Sequence, residues 1–379
     1  MKVQLHAADL GGCGHYRLIW PGSAAYYAGE DVDVVTPEDP RSVFDVEVDP
    51  FAPTPDGRPH MIAIKNPPEA DVVVLQRPLT RELLEVLRLL QSSGYAVVVE
   101  VDDDFESIDP ANVAYRTVHP TYSPNRNYRY LAQACREADL VTVTTPALAA
   151  RYGRHGRVRI IPNMVPSSYL HVLPNTHEGI RVGWSGTIDT HPRDLQVTRG
   201  AVARALRRHG LTFHLIGSGR VRRPMPDGTE EEVTDVRILR NLNIGDGETF
   251  AHTGGWLPLE KYPMAMAELD VGLVPLELSA FNQAKSYLKG LEFAAVGRPF
   301  IASPTDPYLE LAGLGAGLIA RKPRDWELLL DRLIVDEDYR LELGAHGRRL
   351  VAAGHVIENN LDRWLDAWSA SLELAARRR

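Results

Sequence analysis

The sequence predicts an α/β protein made of two successive doubly wound halves. Three observations carry that reading. Short β-branched runs recur between helix-like segments, these runs are apolar at consecutive positions, and the series restarts after a Pro/Ser/Asn-rich pause at 163–179. Strands that are apolar throughout belong to parallel sheets covered by helices on both faces. A chain of 379 residues is also too long for one ordinary core.

The first series runs "KVQLH" (2–6), "VDVV" (32–35), "VVVL" (72–75), "AVVVEV" (96–101), "LVTVTT" (140–145) and "VRIIPN" (158–163). Between its third and fourth members, "RELLEVLRLLQ" (81–91) carries leucines at 83, 84, 87, 89 and 90, a spacing that predicts a helix with one buried face. The second series is "IRVGWSG" (180–186), "LTFHLIG" (211–217), "VGLVPL" (271–276), "PFIASP" (299–304) and "GLIAR" (317–321). The polar segment 219–249 interrupts it and reads as an insertion or hairpin with no assigned role. Near the C-terminus, Ile357, Leu361, Trp364, Leu365, Trp368 and Leu372 step by three and four, which predicts a helix with an apolar stripe. Such a stripe needs a partner, and the plan offers the first half. The expected division is 1–165, a linker at 166–178, 179–352, and a returning helix at 353–379.

Composition narrows the function classes. The chain is 44% apolar and 24% charged, as expected of a globular protein. Its net charge of −8 argues against a broad basic face for nucleic acid. No run of about 18 apolar residues offers a membrane span, and no hydrophobic signal core precedes the first strand. Two cysteines, Cys13 and Cys135, imply neither a metal cluster nor a disulfide framework, which points to a reducing, cytoplasmic setting.

Two motifs suggest chemistry. "GGCGHYR" (11–17) follows the first strand and opens a helix. A dinucleotide fingerprint needs a third glycine where Arg17 stands, so the nicotinamide reading is weak. What survives is a glycine turn at Gly12 and Gly14, suited to an anion, with His15, Tyr16 and Arg17 making a polar mouth beside it. The second motif, "SAFNQAKSYLKGLEFAAVGRP" (279–299), predicts one helix with Lys285, Lys289 and Glu292 on a single face. Only six of the 42 basic residues are lysines, yet two sit one turn apart. Stacked ammonium groups repel, and a pyrophosphate would reverse that sign. Backbone N–H groups near Asn282 would add positive potential, and Glu292 could accept from ribose hydroxyls. A solvated helix face with a Lys–Glu pair is the plain alternative.

A third feature is the acidic run "EVDDDFESID", which sets Asp102, Asp103 and Asp104 after a buried strand, where ligand crevices form. It reads as an acceptor site, a metal site or a helix cap. "VHPTYSPNRNYRY" (118–130) adds an aromatic and basic loop in which His119 is a candidate contact.

Together "LVTVTTPALAARYG…VRIIPN", "RVGWSGTIDTHPRDL" and the 279–299 block resemble the GT-B glycosyltransferases, specifically the large retaining, family 4-like group with bacterial and phage members. The resemblance implies two Rossmann-like domains facing across a cleft, with a C-terminal helix crossing back. It implies a hexosyltransferase that moves a sugar from a UDP- or GDP-sugar to a hydroxyl acceptor. That acceptor could be a glycan, a small molecule, a protein or a modified DNA base, and no stable membrane insertion is expected. In that family two glutamates mark the donor site. Glu292 matches the second, which binds ribose; the first would fall on Ala284 and is missing, leaving Asn282, Lys285 or backbone to hold the sugar. Lys285 and Lys289 then look like the diphosphate clamp and the catalytic pair, with Ser286 beside them. Gly186 and Thr187 resemble the opposing phosphate loop, followed by His191 and Asp194, the latter also readable as a helix cap. No cofactor is required on this account, and a divalent metal is not expected. An inverting enzyme with Asp103 or His15 as base, a sugar-nucleotide epimerase, and a non-catalytic nucleotide- or glycan-binding module remain as alternatives.

Overall fold

The computed structural model describes residues 1–51, 57–217, 220–225, 230–244, 250–252 and 257–378. Its strands, in chain order, are β1 (Val3–His6), β2 (Val32–Val35), β3 (Val46–Asp49), β4 (His60–Ile64), β5 (Val72–Gln76), β6 (Ala96–Val101), β7 (Leu140–Val143) and β8 (Val158–Ile160), then β9 (Val182–Ser185), β10 (Phe213–Ile216), β11 (Arg220–Pro224), β12 (Glu230–Thr234), β13 (Phe250–His252), β14 (Val271–Val274), β15 (Phe300–Ala302) and β16 (Leu318–Ile319).

Two six-stranded parallel sheets result, ordered β2-β1-β5-β6-β7-β8 and β13-β10-β9-β14-β15-β16. In each, the first strand in sequence is flanked on both sides: Val3 pairs with Val32 and Val72, and Val182 pairs with Phe213 and Val271. Strand order therefore reverses at β1 and at β9, and crevices at the C-terminal ends of such strands are where α/β sheets bind ligands. The predicted strands of both series appear in the sheets. The reading missed β13, and it missed the antiparallel β3–β4 hairpin that takes up the excursion after β2. The polar segment contains the antiparallel pair β11–β12 and a helix at Val236–Leu242; its residues 219, 226–229 and 245–249 lie outside the described residues.

Helix Arg81–Ser92 forms as its leucines predict, with the Thr80 hydroxyl capping the Leu83 amide and Leu84, Leu87 and Leu90 buried. The C-terminal helix, Asp362–Arg378, crosses back onto the first sheet and lies on β6 and β7. Trp364 and Trp368 are buried there with Val3, Leu5, Val98 and Leu140, and Arg378 pairs with Asp139 at 3.0 Å. The outgoing and returning chains run side by side between the halves: Val165 accepts from the Ile357 amide at 2.9 Å and donates to His355 at 3.0 Å. No helix among the described residues is long and apolar enough to cross a membrane.

Candidate active site

The C-terminal ends of the two sheets meet around a cavity of about 260 Å³. The first half contributes Gly12, Cys13, Tyr16, Arg17, Asp102, Asp103 and Asn163; the second contributes His191, Lys285, Ser286 and Lys289. A larger hollow of about 640 Å³, lined by Gln4, His6, Asp33 and Arg41, lies along the β1–β2 face and holds none of the motif residues.

The lysines converge for a reason the spacing did not predict. The expected single helix is two, Ala280–Ala284 and Leu288–Ala295, with Lys285 extended between them (φ −66°, ψ 150°). The first half holds this break. Thr145 donates to the Ala284 carbonyl at 2.8 Å and Asn163 donates to the Ser286 hydroxyl at 2.8 Å. Lys285, Lys289 and Glu292 therefore do not share one helical face, which corrects the spacing argument. Lys285 does not face its neighbour unpartnered either. Its Nζ lies 3.0 Å from Asp103 across the cleft and 4.3 Å from the Phe281 ring centre. Burial works against its charge, but Asp103 outweighs burial and the ammonium is raised above its ordinary value.

Lys289 is held differently. Its Nζ sits 3.3 Å from His191 Nε2 and 5.3 Å from the Trp184 ring centre. His191 Nδ1 lies 2.6 Å from Asp194 Oδ2, and Asp194 Oδ1 accepts from the Glu277 amide at 2.9 Å and the Asn282 amide at 2.7 Å. This network assigns the ring proton to Nδ1 and turns the Nε2 lone pair toward the ammonium. Burial, helped by Lys289 and opposed by Asp194, lowers His191 to about 4, so the ring stays neutral at pH 7. Burial likewise brings Lys289 down to about 8, with Asp194 opposing and Lys285 reinforcing the drop. Asp194 thus orients His191 and does not cap its helix by a side-chain bond; Asn282 stands behind the site as Asp194's donor.

Gly186 turns the chain at the end of β9 with φ +155°. A Cβ there would lie 2.7 Å from the Trp184 ring and 2.9 Å from Lys289 Nζ, so only glycine leaves the ammonium its place. Thr187 follows and accepts the His191 amide on its carbonyl.

The glycine lip needs a correction. Its helix N-terminus already has an anion: Asp9 Oδ1 accepts from the Gly11 amide at 2.7 Å and the Gly14 amide at 3.1 Å. Gly14 is required because a Cβ would lie 1.9 Å from the Asp9 carbonyl oxygen. Gly12 still reaches the cavity, but Gly14 serves the turn. Asp9 in turn pairs with Arg77, whose Nε lies 3.9 Å from Asp102. The Oδ1 atom of Asp102 is buried without a hydrogen-bond partner.

Beyond the lip the helix opens into a wide π turn over His15–Ile19, a distortion frequent at functional sites. Arg17 is buried at the cavity wall and bonds Glu100 at 2.7 Å, the Ile161 carbonyl at 2.7 Å and Asn163 at 3.0 Å, which ties β6 and β8 to the helix, while its Nη2 has no hydrogen-bond partner. His15 turns away from the cavity, its Nδ1 3.0 Å from the Gly11 carbonyl and its ring edge-on to Trp20. Asp104 also faces elsewhere, paired with Arg151 at 3.1 Å. His119 stacks on Tyr115 at 4.6 Å within an aromatic cluster outside the cavity.

Glu292 is buried, and its carboxylate accepts from the Tyr16 hydroxyl, which also meets Tyr169 of the linker at 2.7 Å. Burial raises Glu292 to about 7, against the opposing Tyr16 bond and Lys289 charge. The ribose contact expected of Glu292 is therefore occupied by Tyr16 in this structure. Asp9, Arg77, Asn163 and Tyr169 were missed. Arg77 and Asn163 follow the ends of β5 and β8, a position that signals a crevice, whereas nothing local marks Tyr169.

Three comparisons bear on this geometry. Residues 198–366 match the model of a family described as glycosyl transferase-like. A Bacillus subtilis (strain 168) protein, the putative teichuronic acid biosynthesis glycosyltransferase TuaH, is 32% identical over 127 residues. That stretch is 33% of this chain and 27% of the relative, so the match spans about a quarter of the relative's length. Among solved structures, sucrose-phosphate synthase from Thermosynechococcus elongatus superposes with a TM-score of 0.60 at 20% identity, covering 98% of this chain and 100% of that one. Anabaena HepE in complex with UDP and glucose gives 0.62 at 13% identity over 97% and 99% of the two chains. The same HepE protein in complex with UDP-glucose gives 0.61 at 13% identity over 97% and 100%. The architecture is the GT-B glycosyltransferase fold, and the C-terminal half carries the glycosyltransferase match.

Proposed function

We propose that the protein is a glycosyltransferase that takes a hexose from a nucleotide diphosphate sugar, a UDP-sugar first among the candidates, and passes it with retention to a hydroxyl acceptor. The second half (179–352) takes the donor, the first half (1–165) takes the acceptor, 166–178 joins them, and the helix in 353–379 closes the unit; the setting is cytoplasmic. One observation carries the reading. Lys289 brings a half-buried ammonium, with no carboxylate in hydrogen-bond contact, to a cavity where two sheets present their ligand-binding ends. UDP-glucose bound to HepE, on the same fold, supports UDP as the first nucleotide to try.

The chemistry follows from the charges. As the glycosidic bond to the diphosphate breaks, negative charge grows on the departing oxygens and positive charge on the sugar. Lys289, fixed by the neutral His191 that Asp194 orients, meets the growing negative charge. Lys285 reaches the same space from the break before the helix. With retention, the departing phosphate takes the acceptor proton on the face it has just left.

The test is a thermal-shift screen of UDP-, GDP- and TDP-sugars, since a ligand of the folded state raises the melting temperature by mass action. One nucleotide class should raise it, and the anomeric configuration of the product, read by NMR, decides retention. A screen with no stabilising nucleotide would refute the reading.

A further inference from the structure

The two lysines reach one cavity in different electrostatic states. Lys289 touches a neutral ring and an aromatic face, whereas Lys285 touches a carboxylate supplied by the opposite half. Both members of the Lys285–Asp103 pair keep 22% of their side-chain surface exposed. Both line the cavity. A pair in that position is open to exchange, because an entering anion competes with the carboxylate for the same three ammonium protons.

We propose that Asp103 holds Lys285 in place of a donor phosphate, that the donor takes the ammonium from it, and that the released carboxylate receives the acceptor hydroxyl. The inference rests on the glycosyltransferase reading above and adds to it an order of binding, donor before acceptor. Two features of the first half support the second step. Asp102 stands beside Asp103 on the same wall, and its buried Oδ1, 3.9 Å from Arg77 Nε, accepts no hydrogen bond, so the carboxylates of this wall are not fully satisfied from within. The nearest guanidinium, Arg77, is engaged by Asp9 and lies toward Asp102, so no arginine is seated on Asp103 to replace the lysine. Before the donor enters, Asp103 is masked. Afterwards it is an unpaired acceptor facing the sugar, and a hydroxyl-bearing molecule is what satisfies it.

The experiment is a calorimetric titration of UDP, and of GDP in parallel, into wild type, Asp103→Asn, Asp103→Glu, Lys285→Ala and Lys289→Ala. An internal anion that must be displaced weakens apparent affinity by the fraction of protein it occupies. Asp103→Asn is therefore expected to bind the nucleotide more tightly, on the order of tenfold, while Asp103→Glu returns toward wild type. A pair that merely braced the two halves would give the opposite sign, weaker binding in Asp103→Asn. Equal or weaker binding by a folded Asp103→Asn, checked by its melting curve, overturns the proposal. Should that variant not fold, Asp103→Ser is titrated against the same criterion. A different result sinks the underlying reading instead: no binding of either nucleotide to wild type, or binding that Lys285→Ala and Lys289→Ala leave untouched.

Discussion

The two walls of the cleft are built on opposite electrostatic principles. The first-half wall pairs opposite charges within itself, Asp9 with two amides and Arg77, Arg17 with Glu100, and Asp104 with Arg151, and leaves Asp102 Oδ1 and Arg17 Nη2 without a hydrogen bond. The second-half wall presents cations, and its buried carboxylates are engaged from within, Asp194 in orienting His191 and Glu292 by the Tyr16 hydroxyl. Gly14, His15 and Asp104 of the first wall serve structure, while Gly12, Tyr16, Arg17, Asp102 and Asp103 line the cavity opposite His191, Lys285, Ser286 and Lys289. Asp103 is where the walls meet.

The largest effect should come from breaking the first wall's internal pairing. Arg17→Met leaves Glu100 buried beside Thr142 without its cation. Removing one partner of a buried pair costs about 3–5 kcal/mol, so denaturant unfolding should show a loss of that size, with nucleotide affinity kept in the folded fraction. Lost affinity with stability intact would make Arg17 a ligand contact and break the contrast.

Next is the second wall. Lys289→Ala should lower kcat by about 10²–10³-fold, the cost of removing one preorganised group facing developing negative charge. Its melting temperature in the absence of nucleotide should stay close to wild type. In wild type, kcat/KM should fall as pH rises above about 8, where Lys289 loses its proton in the free protein. Lys289→Arg should move that limb to higher pH, and an unmoved limb assigns it to another group.

The smallest effect probes the seam. Tyr16→Phe removes the hydroxyl shared by Tyr169 and Glu292, for about 1–2 kcal/mol of stability. Folding raises Glu292 from 4.5 to about 7, so the folded state binds more protons and wild-type stability from this group falls as pH rises through that window. The Tyr16 bond favours the carboxylate. Its loss raises Glu292 further, and the deficit of Tyr16→Phe should grow as pH rises through 7. Melting curves at pH 6 and pH 8 check the sign; a deficit independent of pH would uncouple Tyr16 from Glu292.

Legibility in the sequence followed locality. Strands such as "VVVL" and "AVVVEV" could be read because both faces of a parallel sheet are covered, which writes burial into consecutive residues. The hairpin β3–β4 could not, since its strands are half exposed and pair only with each other. In the site, Lys285, Lys289 and His191 were named and do line the cavity, yet the helix invoked to align the lysines is broken at Lys285. The glycine turn reads as suited to a ligand anion, and in the structure Asp9, two residues before Gly11, supplies the negative charge.

The sequence alone therefore determined the doubly wound halves, the returning helix and which residue types could meet a diphosphate. Those properties depend on neighbours within a few positions, where backbone periodicity acts. Only the tertiary structure decided that Asp103 meets Lys285, that Tyr16 closes over Glu292, and that Arg17 pairs with Glu100. Those contacts join residues 83 to 276 positions apart, and no local periodicity encodes the packing that brings them within hydrogen-bond reach.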